Sequence, residues 1–189
     1  MALSKGKLIG LVVAVIVVIA VLAFVAWTIG TYNKLVSQNE SIDSQWAQVA
    51  NEYQRKVDLI PQLVATAWNY TEFEKSTLTN ITMLRSRWMN ANSTEDQVNA
   101  SNELDNSLRG IFITVEAYPT LLSEGPIRDL MVDLEGTQNR IAVERMRYND
   151  DVRVYNAHLK SFPASWVAGW GGFEARSYYS STAAPPLPT

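Results

Sequence analysis

The sequence contains no cysteine, which excludes disulfides and thiolate metal sites and leaves the redox compartment open. It has one histidine, His158, too few for a histidine-rich metal centre within one chain. Carboxylate di-metal sites in helical bundles need inward-pointing Glu-x-x-His pairs. The residue three before His158 is Tyr155, so that chemistry is excluded as well. Positive charge is also short. Lys and Arg number 16 against 19 Asp and Glu, a net charge of −3, and setting aside Lys5 and Lys7 leaves 14 against 19, or −5. Binding a phosphate backbone needs clustered Lys and Arg, so nucleic acid is not an expected partner. No nucleophile elbow, phosphate-binding glycine loop or dinucleotide fingerprint occurs. The acidic pairs Asp129/Asp133 and Glu40/Asp43 read as solvated helix faces. The expectation is a protein that is not an enzyme and has no cofactor. Strand-like alternation is missing too, which points to an all-α fold.

What is present begins with Leu8 to Ile29, an unbroken run of apolar and small residues bounded by Lys5, Lys7 and Lys34. At about 1.5 Å per residue it spans the ~30 Å hydrocarbon core of a bilayer. Trp27 and Tyr32 stand where interfacial aromatics belong. The run is longer than a signal-peptide core and no Ala-x-Ala site closes it, so it predicts an uncleaved single-pass anchor in the lipid bilayer of the cell membrane. Gly6, Gly10 and Ala14 fall four apart, a spacing that lets helices approach closely in lipid, although such residues also occur there by chance. Two lysines precede the span and only Lys34 closely follows it, which favours an extracytoplasmic domain. Asn39, Asn69, Asn80, Asn92 and Asn99 each open an N-x-S/T sequence, a glycosylation acceptor where the machinery exists.

From Thr31 the pattern becomes amphipathic without a loop signal. Leu35, Ile42, Trp46, Val49, Tyr53, Ile60, Leu63 and Ala67 keep three-and-four spacing, so the anchor is expected to continue into the first bundle helix. Pro61 should bend this helix or open a fresh turn. Lys56 occupies a seam position beside Arg55 and Asp58, where either the stems snorkel or an acid from another helix pairs with them. Capping spacings at Thr71–Glu74 and Thr94–Gln97 predict the starts of two shorter helices, the second ending at Tyr118-Pro119. Ser123 to Pro126 connects to the longest seam, in which Ile127, Leu134, Ile141, Tyr148, Tyr155 and Phe162 recur every seven residues. Pro126 and Pro163 bracket it. The predicted architecture is a transmembrane anchor over 1–30, an antiparallel four-helix bundle over 31–162, and a tail over 163–189 that is aromatic and glycine-rich, then proline-rich. That tail can pack on its own bundle, lie on a membrane surface, or dock on another copy.

The polar residues near the seam carry further information. Tyr148-Asn149 and Tyr155-Asn156 repeat one dipeptide at seven-residue spacing, and Tyr32-Asn33 opens the first bundle helix. A seam tyrosine can bury its ring while its hydroxyl finds a partner, and the adjacent asparagine can reach a neighbouring helix. Arg145 lies one turn before Tyr148, and Glu116 is a candidate counter-charge for it or for Arg55. Such residues either fix the register of the bundle or form a ligand site.

These stretches resemble the LemA family of single-pass membrane proteins with a helical-bundle domain. The resemblance rests on Tyr32-Asn33-x-Leu35-Val36, on Arg55 to Val64 with Asp58 and Pro61, and on Glu116-Ala-Tyr118-Pro119-x-Leu121. It continues through Arg145-x-x-Tyr148-Asn149-x-x-Val152-x-x-Tyr155-Asn156, Phe162-Pro163 and Gly172-Phe173. Lys56 and Gln62 depart from the usual arginine and asparagine, and the residues after Tyr179 depart further. The resemblance implies a fold and a membrane address but no enzymatic mechanism. Two functions follow as expectations: a scaffold that self-assembles into a homo-oligomer, or a tethered adaptor or sensor that binds another membrane or surface protein, or a peptide.

Overall fold

The computed structural model describes residues 5–123 and 125–179. Residues 180–189 with the proline-rich end, Glu124 in the expected connector, and residues 1–4 of the expected anchor lie outside the described residues. Among the described residues, five α-helices and a 3-10 turn follow in order: α1 Lys5–Ala67, α2 Lys75–Met89, α3 Thr94–Ala117, the turn Pro119–Ser123, α4 Gly125–Lys160 and α5 Ala164–Gly171. No strand occurs among the described residues.

The fold class is the all-α one that the periodicity predicts, and the apolar run expected as an anchor is continuous with the amphipathic part of α1. Pro61 lies inside α1 on an exposed position. The helix starts differ in detail from the predicted ones. α2 begins at Lys75 with Glu74 as its N-cap rather than at Thr71, whose hydroxyl instead faces Glu72. The cap of α3 is Ser93, one residue before Thr94: its Oγ accepts from the Asp96 N–H at 3.1 Å and donates to the Asp96 carboxylate at 2.7 Å. The seam of α4 is buried at Ile127, Leu134, Ile141, Tyr148 and Tyr155. Phe162 breaks the series. α4 ends at Lys160, so Phe162 falls beyond the helix and is exposed, with its ring edge-on to Trp166. α5 is a fifth helix within the stretch expected to be tail.

The described residues divide into two compact units, one of residues up to Asp43 with Asp151–Ser177, the other of Ser44–Asp150 with Tyr178 and Tyr179. In the second unit, the lower part of α1, α2, α3 and most of α4 form a bundle. Gln45 pairs with Glu144, Glu52 with Arg140 and Lys56 with Gln138, so α1 and α4 run antiparallel there. Arg87 pairs with Glu103 and Asn80 with Ser107, which sets α2 antiparallel to α3. The core is built from Val49, Ile60 and Leu63 of α1, Leu78 and Ile81 of α2, Leu104, Leu108 and Ile111 of α3, and Ile127, Leu134 and Ile141 of α4. Burying such side chains contributes about 1.5–3 kcal/mol each.

In the first unit, α1 and the end of α4 are again antiparallel, linked by Ser41 to Asp151 at 2.9 Å and Gln38 to His158 at 2.7 Å. Residues 173–177 return along α1: Phe173 meets Tyr32, and Arg176 reaches Asn39 and Asp43. The run from Gly6 to Ala26 is exposed along its whole length and, by length and composition, can cross a membrane.

Candidate functional site

The second unit holds a buried ion cluster centred on Asp105 of α3. Lys56 Nζ donates to Asp105 Oδ1 at 2.6 Å and to Gln138 Oε1 at 2.5 Å. Tyr53 Oη donates to Asp105 Oδ2 at 2.7 Å, and Arg145 Nη2 reaches the same oxygen at 3.0 Å. The side chains of Lys56 and Asp105 are only 4 % and 8 % exposed. Three helices therefore converge on one carboxylate. Burial raises the Asp105 carboxyl above its ordinary value, although Lys56 pulls it the other way. Burial likewise lowers Arg145 below the usual arginine value. A buried pair of this kind adds little net stability, because desolvation offsets much of the attraction.

Aromatic rings enclose the cluster. The Arg145 guanidinium lies over the rings of Tyr179 at 4.3 Å and Tyr53 at 5.1 Å. Trp46 packs against both Tyr148 and Tyr179, and Trp88 stacks on Tyr53. The Tyr179 hydroxyl is buried beside Ser101 and Arg145, and burial pushes its pKa up to about 12.

Two asparagine clamps hold the residues after α5. Asn149 Nδ2 donates to the Tyr179 carbonyl at 3.1 Å, and its Oδ1 accepts from the Tyr179 N–H at 2.8 Å. In the first unit Asn156 does the same for Arg176, at 2.8 and 2.9 Å. Tyr155 adds a hydrogen bond to the Glu174 carbonyl at 3.0 Å. These asparagines satisfy a chain segment that has no helix or sheet partner of its own.

The other residues singled out in the sequence fall outside these groups. Arg55 is exposed and pairs with Glu52 at 3.2 Å, and Asp58 is exposed and accepts from Gln54. Glu116, Tyr118 and Pro119 are exposed, so the counter-charge of Arg145 is Asp105 rather than Glu116. The asparagines of the two dipeptides reach the C-terminal segment, not a neighbouring helix. Asn33 is exposed, whereas Tyr32 makes an edge contact with Phe173. Of the N-x-S/T asparagines, Asn69 and Asn92 stand between helices, while Asn39, Asn80 and Asn99 lie within them. Nothing lies within 4 Å of a side-chain position at Gly6 or Gly10, and Ala14 is exposed on the same helix. Asp105 was legible only as an acid between Leu104 and Leu108, one step off the apolar face of α3.

Chemically, the cluster is a set of internal pairs. Among the described residues, no group of three or more His, Cys, Asp or Glu side chains has the geometry to hold a metal ion. The chain is 24 % identical to Magnetosome protein MamQ 2 and to Magnetosome protein MamQ 1 of Paramagnetospirillum magneticum, over 87 % of its own length and 70 % of theirs. It is 22 % identical to Magnetosome protein MamQ of Magnetospirillum gryphiswaldense over the same shares. The family model for the LemA family matches residues 45–186, which include the ion cluster and both clamps. Matched over most of its length, the chain belongs to the LemA family.

Proposed function

We propose that the protein is a non-enzymatic, single-pass membrane scaffold that self-assembles, with its helical domain on the extracytoplasmic side. The observation that carries this reading is how the polar residues are used. Arg145, Asn149, Tyr155 and Asn156 are engaged within the chain, on Asp105 and on residues 174–179. What α1 offers to partners is its uncovered apolar length, with Gly6, Gly10 and Ala14 spaced for close helix contact. The lysine asymmetry across the span supports the side assigned to the domain. Native mass of the full chain in mild detergent tests the scaffold. A large, defined assembly that dissociates on Gly10→Leu with Ala14→Leu supports it, and a monodisperse monomer across protein concentrations excludes it.

A second reading, a tethered adaptor or sensor for another protein or peptide, draws on one feature. A groove of about 540 Å³ runs in the second unit between Arg55–Leu59 of α1 and Val132–Arg140 of α4. Its lining includes Gly136 and the charged side chains of Asp58, Asp133 and Arg140. Gly136→Trp should block partner binding there while leaving helicity and native mass unchanged. A partner bound as well by this variant would exclude the groove as its site.

A further inference from the structure

α5 is apolar on both faces. Ala164, Val167 and Ala168 are buried, and no residue from Ala164 to Gly171 is charged. A surface helix in water turns polar residues outward. α5 instead turns out Trp166 and Trp170, one turn apart and 55 % and 77 % exposed, and Phe162 just before it is 75 % exposed. The Phe162 and Trp166 rings meet edge to face at 5.2 Å, and Trp170 follows four residues on, on the same side of α5, which gives an exposed aromatic ridge.

The position of that ridge is set by Tyr32. A Cβ at Gly171 would stand 3.2 Å from the Tyr32 ring, and Phe173 contacts the same ring at 5.3 Å. Tyr32 is three residues beyond Ile29, about 4.5 Å along the helix. The headgroup layer extends roughly 5–8 Å beyond the hydrocarbon core on each side. α4 runs antiparallel to α1 past Gln38 and delivers the chain toward that level. Lys34, two residues after Tyr32, and Lys160, two residues before Phe162, are both exposed. Tryptophan rings prefer this layer because one edge is apolar and the indole N–H is polar.

We propose that α5 is a second membrane contact, with Phe162, Trp166 and Trp170 seated in the phospholipid headgroup and glycerol layer beside α1. This rests on the reading of residues 8–29 as a membrane span. The occupant is lipid because the ridge adjoins the uncovered apolar surface of α1 at the depth where that surface leaves the bilayer.

The test uses the full chain reconstituted into vesicles of phosphatidylcholine and phosphatidylglycerol, floated on a density gradient. The emission of Trp166 and Trp170 is obtained as the difference between wild type and the Trp166→Phe, Trp170→Phe double variant, whose helicity is checked by circular dichroism. Lipid brominated near the carbonyl should reduce this difference emission by about twofold or more, and aqueous iodide should leave it nearly unchanged. Quenching by iodide rather than by lipid overturns the proposal while leaving the span intact. Protection from both quenchers also overturns it, because a second protein copy would then cover the ridge. A chain that fails to float overturns the span and the proposal together.

Discussion

Asn149 grips the backbone of Tyr179 with both ends of its side-chain amide, donating at 3.1 Å and accepting at 2.8 Å. Only an amide can do this, because a carboxylate lacks the donor and a hydroxyl is too short to bridge both groups. The contact also brings Tyr179 over Arg145, so the clamp and the ion cluster are one construction.

Asn149→Ala should remove both hydrogen bonds and leave two backbone groups to find water. We expect a loss of about 1–3 kcal/mol in stability, measured by denaturant unfolding in detergent. Asn149→Asp should fall in the same range, because it keeps the acceptor and loses the donor. Chymotrypsin cleavage after Tyr178 and Tyr179 should accelerate about tenfold if the segment is released while the rest stays folded. Unchanged cleavage would show that other contacts suffice to hold it.

The Asp105 cluster makes a sharper contrast. Asp105→Ala leaves Lys56 and Arg145 buried without their carboxylate, and should cost about 3–5 kcal/mol. Glu116→Ala removes an exposed acid of the family motif and should stay within about 0.5 kcal/mol. Equal effects from the two would remove Asp105 from the centre of the network.

How far these groups were legible in advance depends on the range of the interactions involved. The seams of α1 and α4 follow from three-and-four spacing, because burial on one helix face is a local pattern. The dipeptide repeat at Tyr148 and Tyr155 was visible for the same reason, but its target was not. A segment without regular secondary structure leaves no periodic signature, so nothing marked Arg176 and Tyr179 as what the asparagines hold. Asp105 pairs with residues 49 and 40 positions away, and only its place beside Leu104 and Leu108 hinted at burial. α5 was hidden by Gly169 and Gly171, which disfavour helix and made the stretch read as part of a tail.

Alkaline pH should expose the buried Tyr179 hydroxyl. Its pKa is near 12 in the folded chain against about 10 unfolded, so the folded state holds the proton more tightly. Stability from this group is therefore intact below pH 10 and falls as pH rises from 10 to 12. The loss amounts to about 2–3 kcal/mol. Tyr179→Phe abolishes this component and costs little at pH 7, because the hydroxyl makes no well-formed hydrogen bond. Unfolding measured across pH 9–12 should show a steeper decline for wild type than for the variant, and parallel curves would place the hydroxyl in contact with water.

The turn after α5 depends on two glycines for different reasons. Gly172 closes the helix at φ 70°, where any other residue meets a steric penalty of about 1–2 kcal/mol. At Gly171 the backbone is ordinary, but a Cβ would meet the Phe173 ring at 2.6 Å, so Gly171→Ala must push that ring off Tyr32. Gly172→Ala should therefore lower stability by about 1–2 kcal/mol with the aromatic contact retained. Gly171→Ala should leave the α5 cap intact and change the near-ultraviolet circular dichroism, because the Tyr32–Phe173 pair is lost. If Gly171→Ala left that spectrum unchanged, Phe173 would have room to yield, and the closeness of α5 to Tyr32 would not depend on glycine at this position.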